Sequence, residues 1–238
     1  MIRVENVTKK FGQKNALDGL TMTVPKGSVY GLMGVNGAGK TTIIRHLAGF
    51  LIQDEGLITV EGETVNDNEK LKERMLFIPD EVYFFRGYSL NEMAAYYSRI
   101  YPGWDKDRFD RMVYDFGLDR NQNMGKFSRG MRKQAAFCLA MAAKPDYLIL
   151  DEPVDGLDPI VRHKLKRYIF EDVADREMTV LISSHNAKEM EDMCNYIGLM
   201  RNGKMVYEGD LMELDNVTVE SLFLEKLGDI HEGGEIDA

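Results

Sequence analysis

The chain has 238 residues, which suffices for one large α/β domain or a core with a subdomain and is too short for two full catalytic domains. Its formal net charge of −9 argues against nucleic acid or an anionic membrane as the main partner, while leaving room for a local basic patch. Two isolated cysteines suit a reducing compartment, and the sequence has neither a signal-peptide core nor an apolar run near the roughly 18 residues of a membrane span. We therefore expect a soluble, cytosolic chain.

The first third of the chain is dominated by predicted strands. Alternating or continuous apolar patterns predict single strands in residues 2–7, 20–24, 29–33 and 74–79. Residues 57–65 are predicted to form a hairpin-like pair of strands. The pattern then changes to the period of a helix in residues 90–101, 106–116 and 131–143. A helical insert is therefore predicted at about residues 80–143.

The apolar pattern of the second half of the chain predicts a parallel sheet. Two short, nearly unbroken apolar runs, 147–151 and 178–183, flank a helical pattern at 160–174, which is typical of a βαβ unit. Further on, residues 201–203 contain an Asn-Gly pair that favours a tight hairpin turn between two strands. The tail after about Gly228 is acidic and contains glycine, and is predicted to be mobile.

A glycine-rich loop connects the predicted strand at 29–33 to a helical segment. The loop reads GVNGAGKTT from Gly34 to Thr42, the P-loop pattern, in which backbone N–H groups and a helix N-terminus face a polyphosphate. In this pattern Lys40 reaches the β- and γ-phosphates and the Thr41 hydroxyl ligates Mg²⁺. The residues predicted to contact the nucleotide are Asn36, Gly37, Ala38, Gly39, Lys40, Thr41 and Thr42.

Two carboxylates follow the apolar run at 147–150. Asp151 and Glu152 stand at the carboxyl end of a predicted buried strand, where ligands bind in open α/β sheets. Asp151 is predicted to hold Mg²⁺, and Glu152 to accept a proton from the water that attacks the γ-phosphate. We also predict that Lys40, Glu152 and a histidine after the next strand, His185, form the catalytic group.

These motifs resemble those of the ATP-binding cassette (ABC) family, the ATPase subunits of ABC transporters, over about residues 1–215. Gly34–Thr42 looks like Walker A, 147–152 like Walker B, Gly156-Leu157-Asp158 like the D-loop, and His185 like the switch histidine. The resemblance implies an α/β fold: a P-loop NTPase core, an N-terminal antiparallel β subdomain and an inserted helical subdomain. It predicts a single domain of residues 1–238. Its core comprises residues 1–79 and 144–215, its helical subdomain residues 80–143, and its C-terminal tail residues 216–238.

Two further positions match the family only in part, and a third, Phe11, matches it. The segment 127–131 reads FSRGM where the family commonly carries LSGGQ, so Ser128 and Gly130 are expected to contact a γ-phosphate, unless Ser128 is an ordinary helix cap. Asp80 occupies the position of the usual glutamine and is expected to ligate Mg²⁺. Phe11 matches the aromatic residue that stacks on adenine, with a core phenylalanine as the alternative.

The resemblance implies a dimer of ATPase subunits, in which Ser128, Gly130 and Asp158 contact the ATP held by the other copy, with Mg²⁺ as cofactor. It also implies integral membrane permease subunits as partners, a peripheral location on the inner face of the cell membrane and no nucleic-acid partner. Export is favoured over import, and part of the aromatic segment 83–88 is expected to contact a cytoplasmic helix of the permease. A soluble ABC ATPase in macromolecular assembly, such as iron–sulfur cluster delivery, is the alternative.

Overall fold

The computed structural model of the chain describes residues 1–214 and 217–228. The predicted mobile tail after Gly228 lies outside the described residues. The strands are β1 Ile2–Phe11, β2 Lys14–Val24, β3 Val29–Gly34, β4 Glu55–Val60, β5 Glu63–Thr64, β6 Met75–Ile78, β7 Tyr147–Asp151, β8 Thr179–Ser184, β9 Tyr196–Arg201 and β10 Lys204–Asp210. The α-helices are α1 Lys40–Leu47, α2 Glu69–Arg74, α3 Leu90–Ile100, α4 Lys106–Phe116, α5 Arg129–Ala142, α6 Pro159–Arg176, α7 Ala187–Met193 and α8 Val219–Leu227.

The strands form two sheets. A four-stranded antiparallel sheet has the order β2-β1-β4-β5, and a six-stranded sheet has the order β10-β9-β3-β8-β7-β6. In the larger sheet, strands β9, β3, β8, β7 and β6 are parallel, and β10 pairs with β9 in the antiparallel sense. The predicted α/β fold with an antiparallel β subdomain is confirmed.

Helix α1 packs between the two sheets. Its apolar residues Ile43, Ile44 and Leu47 are fully buried, and they share one core with side chains of β1, β2 and the larger sheet. The three fall on one face of the helix because they are spaced one and three residues apart. This packing fixes the position of the loop that precedes α1.

The helical insert lies between strands β6 and β7. In α4, Phe109, Met112, Val113 and Phe116 are buried at helical spacing, and they join a second core with α3, α5 and the other face of the larger sheet. The start of α3 is defined by a capping box that Ser89 and Glu92 form. The three helices predicted in the insert are therefore present.

Helices α2, α7 and α8 were not predicted from the sequence. The first two have only six and seven residues, too few for a clear apolar period. In the stretch that was expected to form a tail, α8 buries Val219, Leu222 and Leu227 in the second core. None of the helices in the described ranges has the length and apolar composition needed to cross a membrane.

Candidate nucleotide-binding site

An open pocket of about 450 Å³ lies at the carboxyl edge of the larger sheet. Strands β3, β7 and β6 are parallel, so the residues that follow them meet at this edge. The predicted glycine loop and carboxylates therefore line one pocket. Its lining residues are Phe11, Lys14, Ala16, Asn36, Gly37, Ala38, Gly39, Lys40, Thr41, Thr42, Asp80, Asp151 and Glu152.

The loop from β3 to α1 requires glycine at position 39. Gly39 has φ +109°, a conformation that residues with a side chain rarely adopt, and a Cβ atom there would lie 2.6 Å from the Ala16 carbonyl oxygen. The next residue, Lys40, begins α1. The loop therefore presents the N-terminus of α1 to the pocket, an arrangement that binds anions through backbone N–H groups.

Lys40 places an almost buried ammonium group beside this loop. Its Nζ donates a hydrogen bond of 2.7 Å to the Gly34 carbonyl oxygen, and the residue is 8% exposed. Burial lowers the pKa of Lys40 below its usual value, while the charges of Glu152 and Asp151 act in the opposite direction. An anionic phosphate in the pocket would offer this ammonium group stronger acceptors than a carbonyl oxygen.

Asp151 is held in place by the neighbouring strand. It is 7% exposed, and its Oδ1 accepts a hydrogen bond of 2.5 Å from the Ser183 hydroxyl. The two residues are paired across β7 and β8. Sequence reasoning missed Ser183, although a polar residue at the end of an apolar strand next to the Asp151 strand was a usable signal.

Glu152 has a backbone conformation that is uncommon for a residue with a side chain. Its φ is +48°, in the left-handed region, and its N–H donates to the Ser183 carbonyl oxygen at 3.1 Å. Both carboxylate oxygens lie 3.1 Å from Nδ1 of His185. The structure thus brings His185 to Glu152, at the edge of the pocket.

The comparisons with known proteins give one consistent result. The family model described as ABC transporter matches residues 17–155 of the chain. The chain belongs to the ABC transporter family. It is an ATP-binding cassette of the kind that forms ATP-binding subunits of ABC transporters, and the family hydrolyses ATP.

Two curated bacterial relatives and one solved structure illustrate the similarity. The ABC transporter ATP-binding protein YtrB of Bacillus subtilis (strain 168) is 30% identical over 90% of this chain and 73% of its own. The bacitracin transport ATP-binding protein BcrA of Bacillus licheniformis is 33% identical over 87% of this chain and 69% of its own. A solved ATP-binding subunit of an ABC transporter is 26% identical, has a TM-score of 0.86, and covers 94% of this chain and 98% of its own.

The signature segment of this ABC cassette lies at the start of α5. Ser128 is the N-cap and its hydroxyl accepts a hydrogen bond of 3.2 Å from the Met131 N–H. A Cβ atom at Gly130 would lie 3.3 Å from the Leu157 side chain, so the helix closely approaches the D-loop of the same chain. Ser128 and Gly130, both within the described part of the chain, do not line the 450 Å³ pocket.

Asp158 of the D-loop caps helix α6. Its Oδ1 accepts hydrogen bonds of 3.0 Å from the N–H groups of Ile160 and Val161. Although it is described, Asp158 is not a lining residue of the pocket either. Like Ser128, it is a helix cap within this chain.

Asp80 takes part in two ion pairs. Its Oδ1 accepts hydrogen bonds of 2.7 Å from Arg129 and 2.8 Å from Lys133, both on α5. Burial alone would raise the pKa of Asp80, but the hydrogen bonds from Lys133 and Arg129 hold it below its usual value. These contacts stabilise the charged form of Asp80, which stands where the family usually carries a glutamine. Sequence reasoning missed these two basic partners, which lie 49 and 53 residues away.

Phe11 ends β1 at the rim of the pocket. Its ring is 53% exposed, so it is not a core phenylalanine, and Lys9 Nζ lies 5.9 Å from the ring centroid. An exposed aromatic face at a pocket rim can stack on a nucleotide base. The side chain is therefore available for that contact.

Proposed function

We propose that this chain is the ATP-hydrolysing subunit of an ABC exporter and that it powers transport through separate permease subunits. The observation that carries the proposal is the single pocket in which the P-loop, Asp151 and Glu152 come together. These are the groups that phosphoryl transfer to water requires: a phosphate cradle, a metal ligand and a residue that positions the water.

In the proposed reaction the triphosphate of ATP binds to the N–H groups of the P-loop, and adenine stacks on Phe11. Lys40 exchanges its bond to Gly34 for the β- and γ-phosphates and balances charge as the terminal bond breaks. The Glu152 carboxylate accepts a proton from the attacking water, and His185, which contacts that carboxylate, orients it and responds to the γ-phosphate.

We propose that Thr41, Asp151 and Asp80 hold the Mg²⁺ that accompanies ATP. No cluster of three His, Cys, Asp or Glu side chains suited to a metal occurs among the described residues. The donor set fits Mg²⁺ in particular, because this ion binds nucleotides through one or two carboxylates, water and the phosphates themselves. Asp80 would use Oδ2, the oxygen that its bonds to Arg129 and Lys133 do not involve. When bound there, the ion would neutralise phosphate charge.

We further propose that the active form is a dimer with a second ABC ATPase copy. Ser128, Gly130 and Asp158 are placed outside the pocket of their own chain, and Ser128 and Gly130 lie at the N-terminus of α5, which suits an anion. In the dimer they contact the ATP held by the partner copy. ATP binding then closes the dimer, and hydrolysis reopens it.

An exposed aromatic surface supports the proposed contact with a permease. It is defined here as Tyr83, Phe85, Tyr88 and Tyr96, which are 79%, 49%, 38% and 41% exposed. The Phe85 ring makes edge contacts with Tyr88 at 5.3 Å and with Tyr96 at 5.1 Å. Exposed, mutually packed aromatic rings suit the apolar face of a docked helix.

The direction of transport is proposed from the relatives. Among them, BcrA of Bacillus licheniformis is named for bacitracin transport and LnrL of Bacillus subtilis (strain 168) for linearmycin resistance. Resistance achieved by transport requires outward movement, so we propose export with a peripheral location on the inner face of the membrane.

The test is recovery of the tagged full-length chain from its native cells in mild detergent, followed by mass spectrometry. We expect a multi-span membrane protein to co-purify. Replacing Tyr83 and Phe85 together by alanine should reduce this recovery, whereas Tyr114→Ala should not, because Tyr114 is 85% exposed on α4, outside the aromatic surface. Recovery of soluble partners only, from the soluble fraction, would favour the assembly ATPase instead.

A further inference from the structure

Lys133 places a buried ammonium group directly behind the catalytic loop. Its side chain is 3% exposed. Its Nζ donates hydrogen bonds of 2.7 Å to the Glu152 carbonyl oxygen, 2.8 Å to Asp80 Oδ1 and 3.2 Å to the Asp155 carbonyl oxygen. An ammonium group has three donors, so these three acceptors satisfy it completely, and the carboxylate compensates its charge.

The Glu152 carbonyl, which accepts one of these hydrogen bonds, belongs to a residue with an uncommon backbone conformation. Glu152 has φ +48°, which residues with a side chain rarely adopt. Its peptide N–H is held by the Ser183 carbonyl oxygen at 3.1 Å, and its own carbonyl is held by Lys133. The two hydrogen bonds restrain the residue on both sides, and so they restrain the direction in which its carboxylate leaves the backbone.

The same lysine belongs to the helix that begins with the signature segment. Lys133 lies four residues after Arg129, on the same face of α5. Arg129 contacts Asp155 at 3.2 Å and Asp80 at 2.7 Å. The start of α5 is therefore connected to the loop after β7 by two basic side chains one helical turn apart, which is the contact through which α5 would act on the Glu152 carbonyl.

We propose that Lys133 is a positioning residue for ATP hydrolysis, which acts by holding the Glu152 carbonyl so that the Glu152 carboxylate faces the attacking water. Asp80 is its counter-ion, in addition to any role at the metal. This inference rests on the proposed role of Glu152 as the base. Lys133 itself is not a lining residue of the pocket, so it acts through Glu152 rather than on ATP.

The main test is Lys133→Met in the full-length chain, with ATP affinity and turnover measured separately. A small misplacement of a catalytic group costs up to about 10²-fold in rate, so we expect kcat to fall roughly 10- to 100-fold. The dissociation constant for ATP, measured without Mg²⁺, should change by less than about threefold, since the P-loop is unchanged and Asp80 is proposed to act on ATP only through the metal. Wild-type kcat in a folded Lys133→Met protein would overturn the proposal.

The matched control is Lys144→Met. Lys144 follows the opposite end of α5, and its Nζ pairs with Asp105 at 2.8 Å. The Lys144→Met variant removes a lysine ion pair just beyond the C-terminal end of α5 without touching Glu152, so kcat should stay within about twofold of the wild-type value. A loss of kcat equal to that of Lys133→Met would show that any weakening of α5 slows hydrolysis, and would overturn a specific role for Lys133.

A second variant separates the hydrogen bond from the charge. Lys133→Gln removes the positive charge and offers the Glu152 carbonyl an N–H donor on a side chain one bond shorter than that of lysine. We expect its kcat to lie between those of Lys133→Met and the wild type. A value equal to or below that of Lys133→Met would contradict positioning through this hydrogen bond.

A double variant tests whether Lys133 acts through Glu152. If it does, Lys133→Met in a Glu152→Gln background should lower kcat no further than Glu152→Gln alone. Independent, multiplicative losses would overturn the proposal. Glu152→Gln also separates the two hypotheses: wild-type turnover there refutes Glu152 as the base, whereas an inactive Glu152→Gln beside a fully active Lys133→Met refutes only the role of Lys133.

Discussion

The P-loop region and the signature region of this cassette are built differently. In the P-loop region, the side chains at the ends of parallel strands converge on one pocket, which contains Lys40, Asp151 and Glu152. In the signature region, Ser128 and Gly130 contact their own helix and their own D-loop. The first region brings its phosphate-binding and acidic residues into one pocket within one chain, and the residues of the second region lie outside that pocket.

This difference follows from the elements that carry the residues. The parallel pairing of β6, β7, β8 and β3 fixes where their carboxyl ends lie, so the pocket is determined by the sheet. The signature segment begins a helix of the insert and is attached to the core by ion pairs such as Arg129–Asp155. Helices attached in this way can shift as a unit. We therefore expect variants in the two regions to affect different quantities.

The largest effect is expected for Lys40→Met. Charge-assisted hydrogen bonds contribute about 1.5–3 kcal/mol, so the affinity of the single chain for a non-hydrolysable ATP analogue should fall about 10- to 100-fold. Isothermal titration calorimetry measures this directly. Lys26→Met is the control, because Lys26 pairs with Glu177 on the surface at 2.9 Å, and its affinity should match the wild type. Unchanged affinity in Lys40→Met would remove Lys40 from the phosphate site.

Ser128→Ala tests whether the signature region affects turnover without affecting the affinity of the single chain for ATP. Loss of an N-cap costs about 1 kcal/mol, which lowers the melting temperature of a chain of this size by about 2–4 °C. Turnover should also fall, because the hydroxyl is proposed to contact ATP in the partner copy. The affinity of the single chain for ATP should not change. If calorimetry instead shows a loss of affinity as large as that of Lys40→Met, the distinction between the regions is wrong.

The smallest effect is expected in the pH dependence of ATP binding. Burial lowers the pKa of Lys40 below 10.5, so the lysine loses its proton at a lower pH than an exposed lysine does. Only the charged form attracts phosphate, so affinity is full below the lowered pKa and falls as the pH rises through it, by about twofold at the pKa itself. Titrations at increasing alkaline pH should show a steeper decline in the wild type than in Lys40→Met, because only the wild type carries this lysine.

Much of the fold was predictable because its signals are local. The buried strand at 147–151, the P-loop and the helices of the insert each have an apolar period or a glycine pattern within a few residues. The same locality explains the omissions. The short helices α2 and α7 carry too few residues for a period, and α8 lies within residues 216–238, which were assigned as a C-terminal tail.

In the site, the sequence identified the residues by motif but not the contacts that hold them. The Ser183–Asp151 hydrogen bond joins residues 32 positions apart, and the Lys133–Glu152 contact joins residues 19 apart in different elements. Nothing in a local pattern pairs them. The left-handed backbone conformation of Glu152 could not be predicted either, because glycine is the residue type that most often indicates a positive φ and position 152 is a glutamate.

By itself the sequence determined the family resemblance, the α/β class and the order of phosphate-binding and acidic motifs, because these depend on residue types at fixed short spacings. Only the tertiary structure decided that Asp80 pairs with Lys133 and Arg129, that His185 reaches the Glu152 carboxylate, and that the Ser183 hydroxyl holds Asp151. Those outcomes depend on how helices and strands distant in the chain pack together, and burial, charge and hydrogen bonding settle that packing jointly.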